Sequence, residues 1–164
     1  MVVNACFNAT DPNVGLALSA EHATQKCYMA DTGLLVTHTF MDTAFTDNGL
    51  YKAILFDKLD VNEGMIMENA VAQMLRCNGH KLYFYSRCDS EHRENHMEID
   101  FLITEKNKIS PIEVKSANYR YHASLDKFRK KFSSKIGTSY ILYPKDVMEK
   151  DGIWHLPLYM AMLL

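Results

Sequence analysis

The sequence predicts one α/β domain with a mixed central sheet flanked by helices, and three observations carry the prediction. A helical periodicity runs over 62–77, two alternating strand patterns joined by a short turn follow at 97–103 and 109–115, and a second helix and a further strand come at 123–132 and 138–143. At 164 residues, 48% hydrophobic and 23% charged, the chain has the size of one domain and the composition of a folded one. A domain of this size buries roughly 68–70% of the surface its unfolded chain exposes, so its core needs no disulfide staples.

The text changes character near residue 60, dividing the domain into an N-terminal extension, 1–60, and a core, 61–164. In the extension Asn4, Asn8, Asp11-Pro12-Asn13 and Gly15 are turn formers that break up long elements, and Lys26-Cys-Tyr-Met-Ala30 is short and strand-like. Asp31 opens a short helix by capping the amides of Leu34 and its neighbours, and Leu50 to Leu59 has helical apolar spacing. The extension is therefore expected to be mainly helical.

In the core, Met67, Ala70, Val71, Met74 and Leu75 recur at i, i+3, i+4, i+7 and i+8, one face of an amphipathic helix. Asn78-Gly79 stops that helix, because both residues take the left-handed conformation at little cost, and Lys81 to Tyr85 follows as a strand. Ser86 to His96 reads as a polar loop. Ile99, Phe101 and Ile103 then alternate, as do Ile112 and Val114 after a Lys-Asn-Lys turn, and Leu125, Phe128 and Phe132 mark the second helix. Thr138 to Tyr143 is a strand closed by Pro144, and the apolar tail Pro157 to Leu164 is too short to span a bilayer and is expected to pack on the domain or on a neighbouring one.

Composition excludes several function classes. Eighteen Lys and Arg against twenty Asp and Glu give a net charge of −2, which offers no general attraction to nucleic acid or acidic membranes. Cys6, Cys27, Cys77 and Cys88 form no C-x-x-C pair and read as reduced, mostly packed thiols. With no signal-peptide pattern and no long apolar run, the expected location is cytoplasmic.

Four polar side chains sit where packing alone would not place them: Glu68, Asp100, Glu113 and Lys115. Alternation puts Glu113 and Lys115 on one face of their strand while Ile112 and Val114 fill the other. Asp100 lies in the middle of the preceding strand, where Asp is a poor former and costly beside Ile99 and Phe101 unless it faces something polar. Opposed residues on paired strands stand ~4.5–5.5 Å apart at Cβ, so the two carboxylates can meet. Glu68, at the margin of the helical apolar stripe, can complete the cluster. Converging carboxylates suit Mg²⁺ or Mn²⁺, and an adjacent ammonium favours deprotonation of bound water, an assembly fitted to phosphodiester hydrolysis. Glu98 shares a face with Asp100 and reads as a solvated neighbour, and Cys88, His92 and His96 offer only three ligands in a charged stretch, read as a polar loop.

The order helix, three strands, helix, strand with Glu68, Asp100 and Glu113-Val-Lys115 resembles the PD-(D/E)XK superfamily, the restriction-endonuclease-like fold. A fuller resemblance is to the nuclease-like domain of unknown function at the C-terminus of bacterial and archaeal AAA-type ATPases, through Lys26-Cys-Tyr-Met-Ala-Asp-Thr-Gly-Leu-Leu35, Glu68-Asn69, Glu98-Ile-Asp-Phe-Leu-Ile103, Pro111-Ile-Glu-Val-Lys-Ser116 and Ser124-Leu-Asp-Lys-Phe128. It implies that Asp100 and Glu113 bind metal, Glu68 assists, and Lys115 positions or activates water. It also implies an upstream P-loop ATPase as partner. No G-x-x-x-x-G-K-[ST] occurs in this sequence, so the chain is expected to be an excised C-terminal part that does not itself bind ATP by that route.

Between Lys115 and Lys135, seven Lys or Arg face one acid, Asp126. Lys127, Arg129, Lys130, Lys131, Arg120 and Tyr119 are the candidate nucleic-acid contacts, for DNA ahead of RNA, and the same residues read equally as the wet face of an amphipathic helix. Two functions follow as expectations: a divalent-metal-dependent nuclease-like domain, or a catalytically inactive nucleic-acid- or protein-binding regulatory module of the ATPase.

Overall fold

The computed structural model describes residues 2–39, 41, 49, 63–87 and 96–164. Within them the chain alternates strands and helices into two mixed sheets: β1 (Val3–Ala9), β2 (Ala20–Met29), α1 (Thr32–Thr39), α2 (Glu63–Cys77), β3 (Leu82–Arg87), β4 (Met97–Ile99), β5 (Phe101–Glu105), β6 (Lys108–Val114), α3 (Ala123–Lys131), β7 (Ser139–Tyr143), β8 (Met148–Lys150) and β9 (Ile153–Pro157). Short 3-10 turns span Leu16–Ser19 and Leu158–Leu163. One sheet has the order β2-β1-β3-β4, the other β5-β6-β7-β9-β8. No helix among the described residues is long and apolar enough to cross a membrane.

Side-chain alternation sorts the core into two faces. Leu82, Phe84, Tyr140 and Leu142 pack with Val71, Ala72 and Leu75 of α2, whereas Tyr83, Tyr85, Ile141 and Tyr143 pack with Leu125 and Phe128 of α3. One helix therefore covers each face. Of the predicted α2 stripe Val71 and Leu75 are buried and Met67, Ala70 and Met74 half-buried, with Asn69 and Ala72 buried beside them, and the helix ends at Asn78-Gly79, with Gly79 at φ 90° and the His80 amide donating to Leu75 O at 3.0 Å. The apolar tail packs on the domain: Ala161 is buried, and Asn78 and His80 hydrogen-bond the Leu164 carbonyl.

Two expectations are corrected. Over its described residues the N-terminal extension is not mainly helical, because β1 and β2 pair antiparallel and β1 runs parallel to β3, with Cys6 opposite Leu82. The extension thus supplies half of one sheet. The Asp31-capped helix follows the expectation, with Oδ1 accepting from the Gly33 and Leu34 amides at 2.7 and 3.1 Å, and so does the strand-like stretch at Lys26, which lies in β2 up to Met29. The helical spacing of Leu50 to Leu59, and Cys88 and His92, lie outside the described residues. The single central sheet is also divided in two. The predicted strand 97–103 breaks at Asp100, so that β4 pairs with β3 and β5 pairs with β6. The break follows from the residue: the Asp100 carboxylate takes a backbone amide of β6 and turns the chain out of the first sheet into the second.

Candidate active site

The β5–β6 hairpin turns at Lys106 and Asn107, with Lys106 in the left-handed region at φ 56°, and this sets the register. Phe101 pairs with Ile112, and continuing that register by one residue brings Asp100 opposite Glu113. Asp100 Oδ2 accepts the Val114 N–H at 2.8 Å. Ile112 and Val114 face the α2 side of the core, leaving Glu113 and Lys115 on the other face, with Lys115 Nζ 2.6 Å from Glu113 Oε1. The Lys115 amide is fixed by Leu142 O at 2.9 Å. Glu113 is 5% exposed, and its Oε2 is buried with no hydrogen-bond partner among the described residues.

Glu68 reaches the same place from α2. Next to it the buried Asn69 accepts the Met29 amide at 2.8 Å and donates to Met29 O and to Thr32 Oγ1, while Gln73 accepts from the Thr32 amide and hydroxyl. These bonds pin α2 to the end of β2 and the start of α1, which fixes the direction of Glu68. Glu68 Oε1 then accepts from the Tyr28 hydroxyl and stands 3.1 Å from Lys26 Nζ. The same ammonium is 2.8 Å from Glu98 and 3.9 Å from Asp100.

The cluster shifts its members in opposite directions. Burial raises the Asp100 carboxyl, reinforced by Glu68, to about 7 against the opposing pull of the Val114 amide and Lys26. Burial by itself would lower Lys26, but Glu68, Glu98 and Asp100 outweigh it and hold the ammonium above its ordinary range. Tyr28 is raised by burial and by Glu68. Cys6, on the adjoining strand, is pushed up to about 12 by burial and is an inert packed thiol.

Glu68, His96, Glu98, Asp100, Glu113 and Lys115 line one open cleft of about 460 Å³, with Ser124 at the start of α3 on its rim. The structure thus brings together all four predicted residues. It adds Lys26 and Tyr28, which sequence reasoning missed as site residues, and Glu98, which it set aside. Their signal was alternation, since Lys26 and Tyr28 share one strand face as Glu98 and Asp100 do. The donors suit a hard divalent cation: Mg²⁺ takes one or two carboxylates and keeps several waters, and the orphaned Glu113 Oε2 lies beside Asp100 in register. As the side chains stand, no group of three His, Cys, Asp or Glu among the described residues is arranged to hold a metal ion. The Lys26 ammonium stands between Glu68 and Asp100 instead.

The candidate nucleic-acid contacts divide. Lys127, Arg129, Lys130 and Lys131 follow Ser124 along α3, roughly 5–10 Å further at 1.5 Å per residue. Arg129 is tied to the carbonyls of Asp151 and Gly152 at 3.1 and 3.2 Å, and Lys131 lies over the Phe132 ring. Arg120 and Lys145 flank Tyr119, whose hydroxyl they hold below its ordinary pKa range, and Tyr119 packs on Tyr143.

No curated protein and no solved structure matches the chain. One family model does, over residues 63–160, well over half of the chain and the stretch that carries Glu68, Asp100, Glu113 and Lys115. The chain therefore belongs to the DUF4143 family, a domain of unknown function.

Proposed function

We propose that this chain is a divalent-metal-dependent nuclease-like domain that hydrolyses phosphodiester bonds of nucleic acid, on a PD-(D/E)XK (restriction-endonuclease-like) core, as the C-terminal module of an AAA-type ATPase. The observation that carries the reading is the convergence of Glu68, Asp100, Glu113 and Lys115 on one open cleft, with a carboxylate oxygen of Glu113 unpaired among the described residues. Asp100 and Glu113 would hold Mg²⁺ or Mn²⁺, with Glu68 assisting. When bound, the ion supplies charge for a phosphoryl oxygen and acidity for a coordinated water. Lys115, held against Glu113, would orient the attacking water, and its positive charge would favour loss of a proton from that water to solvent. The basic residues of α3 contact flanking phosphates, DNA ahead of RNA.

A second reading, an inactive nucleic-acid- or protein-binding module of the ATPase, is favoured by the Lys26 ammonium, which already stands among Glu68, Glu98 and Asp100. The test is cleavage of single- and double-stranded DNA and RNA with Mg²⁺ or Mn²⁺, comparing the native chain with Asp100→Ala and Lys115→Ala. Loss of cutting in either variant and with chelator supports the nuclease. Equal cutting by all three proteins marks a contaminant, and no cutting together with no calorimetric metal binding moves the assignment to the inactive module.

A further inference from the structure

Lys26 has no part in the hydrolysis proposed above. It projects from β2, outside the stretch that the family model matches, and reaches three carboxylates, on β4, on α2 and at the break between β4 and β5: Glu98 at 2.8 Å, Glu68 at 3.1 Å and Asp100 at 3.9 Å. Its stem passes the Phe84 ring, with Nζ 5.3 Å from the centroid, and the side chain is only 26% exposed. An ammonium has three donors and no acceptor, so one lysine can serve several carboxylates that would otherwise repel one another. On the reading above, a divalent ion at the cleft draws on two of the same carboxylates, Glu68 and Asp100. Two cations competing for Glu68 and Asp100 cannot both keep short contacts there.

We propose that Lys26 is the resident cation of the cleft: it holds Glu68 and Asp100 in place while no divalent ion is bound, and the ion enters by exchanging with it. The inference rests on the metal-dependent reading above. Lys26 is then a positioning residue that sets a threshold of metal concentration, and loading frees its ammonium to turn toward the open cleft. The exchange also explains why the carboxylates do not stand as a ready-made cage among the described residues.

The experiment is calorimetric titration of the full chain with Mn²⁺ at pH 8, for the native protein, Lys26→Gln and Asp100→Asn, each checked for fold by circular dichroism. Removing a unit charge a few ångströms from the ion is expected to tighten Mn²⁺ binding by about tenfold or more in Lys26→Gln, while Asp100→Asn loses it. Binding by Lys26→Gln where the native chain shows none supports the proposal still more directly. Equal or weaker binding by Lys26→Gln, with binding lost in Asp100→Asn, overturns the exchange and leaves the metal reading standing. No binding by either the native chain or Lys26→Gln overturns both. If Lys26→Gln does not fold, acetylation of Lys26 in the native chain is followed by mass spectrometry with and without saturating Mn²⁺. Faster labelling with the ion supports the exchange, and unchanged or slower labelling overturns it.

Discussion

The β5–β6 hairpin carries a carboxylate near each end, and the two are treated differently. Near the turn, Glu105 accepts from the Ser110 hydroxyl and from Tyr140 Oη at 3.1 and 3.2 Å, so neutral donors from neighbouring strands close its oxygens. At the open end, Glu113 is more deeply buried, yet one oxygen faces Lys115 and the other has no partner among the described residues. Burying a charge without its full set of partners is costly, and folds tolerate that cost where the group has work to do. The same hairpin thus separates a carboxylate whose two oxygens are both hydrogen-bonded from one with an oxygen left without a partner among the described residues, the one proposed above to hold a metal ion.

Exchanging the two carboxylates for amides tests this contrast most strongly. Glu113→Gln is expected to lower metal-dependent cleavage by about 10²-fold or more, whereas Glu105→Gln leaves the rate within about threefold, both read as initial rates under saturating Mg²⁺. The pH dependence of stability comes next. Asp100 titrates at about 7 in the folded chain against an ordinary value of 3.8, so between those limits the native state holds the extra proton. Stability in chelator should therefore fall as pH rises from about 4 to 7, by at most ~1.4 kcal/mol per pH unit, and Asp100→Asn should remove that slope in urea melts. A smaller effect is expected at the satisfied end, where Tyr140→Phe should cost about 1.5 kcal/mol by chemical denaturation without changing metal affinity. The smallest belongs to the surface pair Lys135–Asp11, 2.7 Å apart and half exposed: Asp11→Asn should change stability by less than ~1 kcal/mol, and high salt should erase the difference.

What the sequence revealed depended on the range of the interaction. Local signals read true: the α2 stripe, its stop at Asn78-Gly79, the Asp31 cap, and the turn that apposes Asp100 and Glu113. The Asp151-Gly152 hairpin between β8 and β9, with φ 53° and 69°, carries a turn signal that reading missed. The parallel pairing of β1 with β3 leaves no local mark, since Cys6 and Leu82 are far apart in the chain and Asn4 and Asn8 look like turn formers. Yet Asn8 is buried for a reason only the fold supplies: its amide oxygen accepts the Ser86 N–H at 2.9 Å, stitching β1 to the end of β3. Lys26 was hidden likewise. Its three partners come from elements that are not its sequence neighbours.

The central position of β1 also bears on any attempt to work with the family-matched stretch alone. A fragment spanning 63–160 would lack the strand that pairs with β3, leaving a row of unsatisfied amides and carbonyls along Leu82, Tyr83 and Phe84. Such an edge is a template for strand addition from other chains, so the shortened protein should self-associate and precipitate before its chemistry could be judged. A negative result from it would report on solubility, not on the carboxylates.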